Sequence, residues 1–409
     1  MSQSSPENPP GTPRVRVFPR WVYGIAVAAV VAGIVAFIAS VLGADPGRGW
    51  RALLVNFLFW TGLAQAAVVW AAVFRTTTAR WTPAVSRLGQ ATLPFLPISL
   101  LLLIVLYFGR RYFLLWIGDP SIGDRAAWLN VPFLFGRDFA ALLGLTILSV
   151  AAVFANVRAD RLAREAPDDP RLERAQLRLS QVSVALIIGY AFIHTLMAFD
   201  LIMSLDGHWF STLFGAHFFV GSLYVAMAGM VLWAVALREH LGLEAHLGVS
   251  PLADMGNLMM AFGILTVSFF FCQLLTIWYG NLPEETYYVG LRTHTAAWAP
   301  LGYVVLIVGY LAPFFLLLIR EVKRDHRILS TVAVLALVGM WIERYVMVVP
   351  TLQPNGAPLG AVEMLTALGF AGAMVCCVGW FLGRVPLLSY ADMARASAHE
   401  TQPEGLRSG

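Results

Sequence analysis

Residues 178–236 read RLSQVSVALIIGYAFIHTLMAFDLIMSLDGHWFSTLFGAHFFVGSLYVAMAGMVLWAVA. Two apolar runs, 178–201 and 210–236, flank a short polar turn, and each is long enough to cross the ~30 Å hydrocarbon core of a bilayer as a helix. The turn carries Asp206 and His208. Ionisable groups at membrane depth cost at least ~2.5 kcal/mol unless they are paired or hydrated, so they are candidates for a functional site. The stretch predicts a membrane-spanning helical hairpin with functional groups at its turn.

The composition extends this interpretation to the whole chain of 409 residues. Hydrophobic residues make up 58% and charged residues 13%, against about 25% charged residues in soluble domains. Apolar runs long enough to span a bilayer as a helix occur ten times. The sequence therefore predicts an all-α, polytopic membrane protein. The predicted spans are 22–42, 52–74, 88–108, 131–156, 178–201, 210–236, 255–279, 297–319, 329–349 and 361–383.

The Lys and Arg residues predict the orientation of these spans. The side that holds both termini carries 20 of the 28 basic residues, and the opposite loops carry 6. Because cytoplasmic loops carry the basic excess, both termini are predicted to be cytoplasmic. Residues 1–20 are expected to be a disordered tail and 385–409 a second tail, around a transmembrane domain at 21–384. The mixed charges of the arginine-rich loop 158–178 indicate a solvated helical face, with docking to a partner as the alternative.

The sequence lacks the motifs of several common cofactor and nucleotide sites. Cys272, Cys376 and Cys377 lie in apolar runs and form no Cys-x-x-Cys-His or four-cysteine pattern, so covalent haem and iron–sulfur clusters are not expected. No phosphate-binding glycine-rich loop occurs, which argues against ATP-driven work. The chain is expected to hold no redox cofactor and no metal ion. Its basic residues are a topology signal, so no nucleic-acid partner is expected.

Charged residues inside the predicted spans need an explanation. Arg137 and Asp138 lie in the fourth span, and Glu343 and Arg344 repeat the arrangement in the ninth. Sequence neighbours point about 100° apart around a helix, so Arg137 need not pair with Asp138. The four residues could form a network between helices. Structural neutralisation and a proton relay use the same residue types, and both interpretations stay open.

Two histidines, His194 and His217, lie in the fifth and sixth spans. One histidine on each of two successive helices, at mismatched depths, is weak support for a haem b site. A histidine satisfied within the protein and a role facing a proton path or a quinone are the other interpretations.

The turn of the hairpin carries further polar groups. Asp200 and Ser204 stand four residues apart and share a helix face, which predicts a hydrogen bond from the serine to the carboxylate. Asp206 is suited to capping the turn. Trp209 fits an interfacial aromatic anchor. His208 is of the residue type that exchanges protons near neutral pH.

A second polar cluster, WYGNLPEETYY at 278–288, follows the seventh span. Its candidate residues are Tyr279, Glu284 and Glu285. The predicted topology puts this cluster on the same side of the membrane as the turn that contains Asp206. The cluster is either an ordinary loop or, facing that turn, part of a polar vestibule.

Two stretches resemble a known family. DLIMSLDGHWFSTLFG at 200–215, continued by AHFFVGS at 216–222, resembles the smaller NrfD-like membrane subunits of alternative complex III, the ActF family. IWYGNLPEET at 277–286 matches the same family. Chain length, ten predicted spans and cytoplasmic termini agree with the resemblance, which covers essentially the whole chain. The family usually has proline where this chain has Gly207.

The resemblance implies a bacterial inner-membrane subunit built as two four-helix bundles with flanking helices. Alternative complex III oxidises quinol and passes electrons to cytochrome c or to a terminal oxidase. Its haem c and iron–sulfur clusters lie in partner subunits, which include multihaem cytochromes, an iron–sulfur protein and a larger NrfD-like subunit. The positions carried over from the family motifs are Asp200, Asp206, His208, Tyr279, Glu284 and Glu285.

The function expected from the resemblance and from the buried charges is a cofactor-free subunit that supplies part of a proton path. The expected inner positions are Arg137, Asp138, His194 and His217, with Asp200, Asp206 and His208 nearer the periplasmic exit. The Glu343–Arg344 pair is a further candidate. A quinol-binding anchor, a secondary transporter and a structural scaffold are the alternatives.

Overall fold

The computed structural model describes residues 17–77, 79, 81–207 and 209–390, apart from the side chains of Ser121, Asp124 and Glu284. Within this part, the chain is helical and contains no strand. Its α-helices are α1 Arg20–Val41, α2 Pro46–Thr76, α3 Pro83–Gln90, α4 Phe95–Gly109, α5 Val131–Glu165, α6 Pro170–Leu201, α7 Phe214–Arg238, α8 Val249–Gly280, α9 Pro283–Thr293, α10 Ala299–Val304, α11 Ala312–Leu318, α12 Arg320–Arg324, α13 His326–Leu352 and α14 Ala361–Leu382.

Ten helical segments of the described chain are long and apolar enough to cross a membrane. They are α1, α2, α3–α4, α5, α6, α7, α8, α10–α11, α13 and α14. The predicted number and order of spans are confirmed, and the protein is an all-α polytopic membrane protein. Several helices are longer than the apolar runs, because they begin at polar capping residues that lie several residues before the apolar run. Asp45 and Asp169, for example, cap α2 and α6 by accepting bonds from backbone N–H groups.

The spans form two closed rings of four helices. In the first bundle, α2, α4, α5 and α6 each pack against the next around the ring. In the second bundle, α7, α8, α10–α11 and α13 do the same. The remaining pair, α1 and α14, packs together on the outside of α2. This is the pair of four-helix bundles with flanking helices that the resemblance implied.

Helix α2 lies at the centre of this arrangement. It is apolar on all sides, the pattern of a helix enclosed by others, and 94% of its most apolar stretch is buried. It packs against α6, α7 and α13, so it joins both bundles. Two hydrogen bonds fix the junction: Trp341 donates to the Asn56 side chain at 3.0 Å, and Trp70 donates to the Leu223 carbonyl at 2.9 Å.

Two prolines open the helices of the second bundle at defined points. Pro313 has no N–H to offer the carbonyl of Gly309, and residues 305–311 form a π-helical segment. The Tyr224 hydroxyl donates to that carbonyl instead, at 2.9 Å. In α13, Pro350 likewise leaves the Val346 carbonyl without its helical donor, and Arg292 Nε donates to it at 3.0 Å. Side chains thus replace the backbone donors that proline removes.

The predicted tails lie largely outside the described residues, which exclude 1–16 and 391–409. The part that is described corrects the prediction at the C-terminal end. Residues 383–390 follow α14 and pack back onto the protein, with Val385, Leu387 and Leu388 half-buried and Ser389 fully buried. This segment is therefore part of the folded domain.

Candidate functional site

Arg137 and Asp200 form a buried ion pair between α5 and α6. The guanidinium binds the carboxylate through two bonds, Nε–Oδ2 at 2.6 Å and Nη2–Oδ1 at 2.5 Å. Trp128 Nε1 donates to the same carboxylate at 3.0 Å, and its ring lies 3.8 Å from the guanidinium carbon. Ser204 donates to the backbone carbonyl of Asp200 at 2.5 Å, so the predicted serine–carboxylate bond is wrong.

Asp138, the neighbour of Arg137, is fully buried beside this pair. No donor among the described residues bonds to its carboxyl oxygens, and its electrostatic environment includes the Asp200 carboxyl group and Arg137. Two carboxyl groups thus lie near one guanidinium, which bonds to Asp200. The trio is neutral with one proton on the acids and carries one negative charge without it, so the site has room for one exchangeable proton.

His194 lies at the junction of the bundles and is 1% exposed. Neither ring nitrogen has a hydrogen-bond partner among the described residues. The ring centroids of Tyr190 and Phe218 lie 4.3 and 6.2 Å from that of the imidazole. The Tyr190 hydroxyl donates to the Phe219 carbonyl of α7 at 2.7 Å, which ties α6 to α7 at this level.

The core of the second bundle contains a connected polar cluster. Its centre is the Glu343 carboxylate, which lies 3.1 Å from His217 Nε2, accepts a bond from Arg344 Nη1 at 2.7 Å and accepts another from the Tyr310 hydroxyl. His217 Nδ1 lies 3.1 Å from the Thr266 carbonyl oxygen, so both of its ring nitrogens are engaged.

The four charged candidates in the spans do not form one network. Arg137 and Asp138 belong to the first bundle, and Glu343 and Arg344 to the second. Glu343 and Arg344 bind each other although they are sequence neighbours. Phe218 links the second group to His194: its carbonyl accepts a bond from Arg344 Nη2 at 3.3 Å, and its ring lies 6.2 Å from that of His194, centroid to centroid.

The turn after α6 is covered by α9. Trp209, predicted to be an interfacial aromatic anchor, is 2% exposed and stacks on Tyr288 with ring centroids 3.7 Å apart, so its ring packs inside the protein. Arg292 of α9 is buried beside them and interacts electrostatically with Asp206. Burial lowers the pKa of the Arg292 guanidinium below its ordinary value. Sequence reasoning missed Arg292.

Only part of the polar cluster at 278–288 contacts the turn after α6. Tyr279 is 87% exposed. Glu285 is half-buried in the first turn of α9, and the side chain of Glu284 lies outside the described part of the chain. His208 also lies outside the described residues. The contact between α9 and the turn is made through Tyr288 and Trp209.

Sequence reasoning also missed a buried cluster at the other end of the first bundle. Asp160 lies in the loop that was expected to be a solvated face, yet it is 3% exposed and pairs with Arg87 of α3. Arg87 also donates to Gln90 at 2.6 Å, and Ser389 donates to Asp160 at 3.0 Å. The prediction of a solvated face is wrong at Asp160, because the ion pair with Arg87 of α3 buries this carboxylate.

Other buried polar residues hold helices together. Gln65 donates a hydrogen bond to Ser149 at 2.7 Å, and Glu363 forms an ion pair with Arg48 at 2.7 Å. No group of three or more His, Cys, Asp or Glu residues in the described chain is arranged to hold a metal ion.

The chain matches no protein-family model and no curated protein.

Proposed function

We propose that this chain is a bacterial inner-membrane subunit, with both termini in the cytoplasm, that supplies part of a transmembrane proton path to a quinol:cytochrome c or quinol:oxidase oxidoreductase complex. In this proposal the haem c groups and iron–sulfur clusters belong to partner subunits. The similarity of residues 200–222 and 277–286 to the smaller NrfD-like subunits supports the assignment to such a complex. The buried side chains support the proton path.

The observation that carries the proton path is the environment of Glu343. Arg344 alone neutralises this carboxylate, yet His217 and Tyr310 also bind it. Three groups that can each hold or pass a proton are therefore in contact in series at a buried site. A purely structural ion pair needs no such series, so the arrangement favours a relay over simple neutralisation.

The first bundle also supports a proton path, through a site with two carboxyl groups and one arginine. Asp200 is already paired with Arg137, and Asp138 adds a second carboxyl beyond what neutralisation requires. His194 lies on α6, the helix that carries Asp200, and the Phe218 ring lies against both His194 and Arg344. In this proposal His194 connects Asp138 and Asp200 with the His217–Glu343 cluster of the second bundle.

The test is proton release per electron in the whole complex, reconstituted into proteoliposomes. Glu343→Gln and Asp138→Asn keep size and polarity but cannot ionise, and both are expected to lower the number of protons moved per electron. Glu363→Gln is the matched control because Glu363 is equally buried and ion-paired but lies outside the series. Loss in the control as well would point to damage to the fold.

A second set of variants addresses the exit side. Asp200→Asn, Asp206→Asn and His208→Ala are each expected to reduce protons moved per electron. The proposal fails if all three variants, together with Glu343→Gln and Asp138→Asn, retain the wild-type value. The partners are tested separately by purifying the tagged chain in mild detergent. Multihaem cytochromes, an iron–sulfur protein and a larger NrfD-like subunit are expected to co-purify; a colourless, solitary protein would favour a transporter.

A quinol-binding anchor is the second candidate, and one observation favours it. A cleft of about 210 Å³ opens between α8 and α11, with apolar walls that include Val267 and Phe314. Tyr310, whose hydroxyl binds Glu343, lies at its wall. Val267→Trp would fill the cleft. Weaker quinone binding to the isolated subunit, with an unchanged fold, would support this candidate.

A further inference from the structure

One face of α5 carries a line of buried polar residues from end to end. Its members are Asp138, Thr146, Ser149, Asn156 and Asp160, none more than 5% exposed. Their spacings are close to whole helical turns, so they share one face of the helix. Asp138 and Asp160 are 22 residues apart, about 33 Å at helical rise, which is close to the ~30 Å of a bilayer core. The Asp160 end is the side that holds residues 17–19 and 383–390, called here the terminal side.

A small polar cavity lies at this end of the line. It lies between α2, α3, α5 and α6 and is lined by Arg75, Gln90, Asn156 and Ser183 among apolar residues. It is about the size of one water molecule. Asn156 is 3% exposed, and its Oδ1 atom lacks a hydrogen-bond partner among the described residues. A buried acceptor facing a polar cavity of this size is the setting in which proteins hold ordered water.

Ser389 bonds to Asn156, which lines this cavity, and to Asp160, one helical turn further along α5. Its hydroxyl donates to Asp160 at 3.0 Å and accepts from Asn156 at 3.4 Å, and its N–H donates to the Pro83 carbonyl at 3.4 Å. Two of these bonds are near the upper limit of hydrogen-bond length and are therefore weak. The flanking residues of 383–390 are half-buried or exposed, so Ser389 alone is fully inserted. The segment is thus held by Ser389 together with the partial packing of Val385, Leu387 and Leu388 against the core.

We propose that the cavity lined by Asn156 is the entrance through which water and protons reach the first bundle from the terminal side, and that segment 383–390 is its gate, latched by Ser389. This proposal rests on the proposed proton path. It adds a site of proton uptake, which the family motifs at 200–222 and 277–286 do not contain. Opening exchanges the Ser389 bond to Asp160 for bonds to water. The polar face of α5 then leads from Asp160 to Asp138.

The test is the reactivity of a cysteine placed in the cavity, in the complete complex in membrane vesicles of both orientations. Cys272, Cys376 and Cys377 are first replaced by alanine. Ser183→Cys then puts a thiol of similar size in the cavity wall, and labelling with a small, charged methanethiosulfonate is timed. Ser99→Cys is the control, because Ser99 is equally buried in α4 and away from the cavity.

With Ser389 intact, slow labelling is expected at position 183, from the terminal side only. Ser389→Ala should speed it about tenfold, the factor that corresponds to one ordinary hydrogen bond lost from the closed state. Ser389→Thr, which keeps the hydroxyl, should restore the slow rate, and position 99 should stay unlabelled throughout. Equal rates with Ser389 and with Ser389→Ala, or faster labelling of position 99 as well, would overturn the gate.

This readout separates the two proposals. Gated labelling with unchanged protons per electron in Glu343→Gln, Asp138→Asn and the three exit-side variants would support the water entrance and overturn the proton path. Loss of proton movement in those variants, with ungated labelling at position 183, would do the reverse.

Discussion

His217 Nε2 lies 3.1 Å from Glu343 Oε1, and this contact joins α7 to α13 across the core of the second bundle. The same carboxylate binds Arg344 of its own helix and Tyr310 of the π-helical segment. One acidic side chain therefore connects three structural elements. Removing its charge and removing its whole polar group should have different consequences.

Replacing Glu343 by leucine is expected to destabilise the protein by about 3–5 kcal/mol, because it leaves the buried Arg344 guanidinium without a counter-ion. Glu343→Leu combined with Arg344→Leu should recover most of that loss, since no unpaired charge remains. Thermal and denaturant unfolding in detergent measure the difference. If the double variant is no more stable than Glu343→Leu alone, the ion pair is not the source of the effect.

Tyr224→Phe is expected to cost about 1–3 kcal/mol, because it leaves the buried Gly309 carbonyl without a donor. Pro313→Ala restores a backbone N–H four residues after Gly309. In that background the cost of Tyr224→Phe should shrink, and a double-mutant cycle on unfolding midpoints gives the coupling between the two sites. Equal costs in both backgrounds would contradict the replacement of a proline-deleted donor by the tyrosine.

Arg292→Lys is expected to destabilise the protein by about 2 kcal/mol although the charge is kept. The guanidinium donates to three backbone carbonyls, those of Tyr288, Val346 and Met347, and the compact ammonium group of lysine does not reproduce this fork. Arg111→Lys is the control, because Arg111 is exposed. Unfolding midpoints of both variants are compared, and similar small shifts would argue against the importance of the fork.

The sequence predicts the spans well because each is decided locally, by about twenty apolar residues in a row. It predicts pairings poorly, because these depend on residues far apart in the chain. Asp160 lies in a mixed-charge segment and gives no local sign that Arg87, 73 residues earlier, will bury it. Arg292 follows a glutamate-containing loop motif, and one of its partners is the Val346 carbonyl freed by Pro350, a contact that no residue pattern encodes.

The candidate sites show the same limit. Ionisable residues in apolar runs could be recognised one by one, and Asp138, His194, His217, Glu343 and Arg344 are indeed buried, while Arg137 is half-buried. Their division between two bundles could not be recognised, because sequence spacing does not say which helices are neighbours. The pair Glu343–Arg344 also departs from expectation, since a long arginine side chain can curl back to the preceding residue while it contacts the Phe218 carbonyl of α7.

The flanking helices offer a test of close packing. A Cβ atom on Gly33 of α1 would lie 2.8 Å from the Gly369 Cα atom of α14, so the two backbones touch. Gly33→Val should therefore force α1 and α14 apart and cost about 1–3 kcal/mol. Gly24→Val is the matched control, because it changes the same residue type on the same helix with no other atom within 4 Å of the added Cβ. Unfolding midpoints in detergent give the comparison: a large loss for Gly33→Val and little change for Gly24→Val are expected, while equal effects would show that the helix contact contributes little to stability.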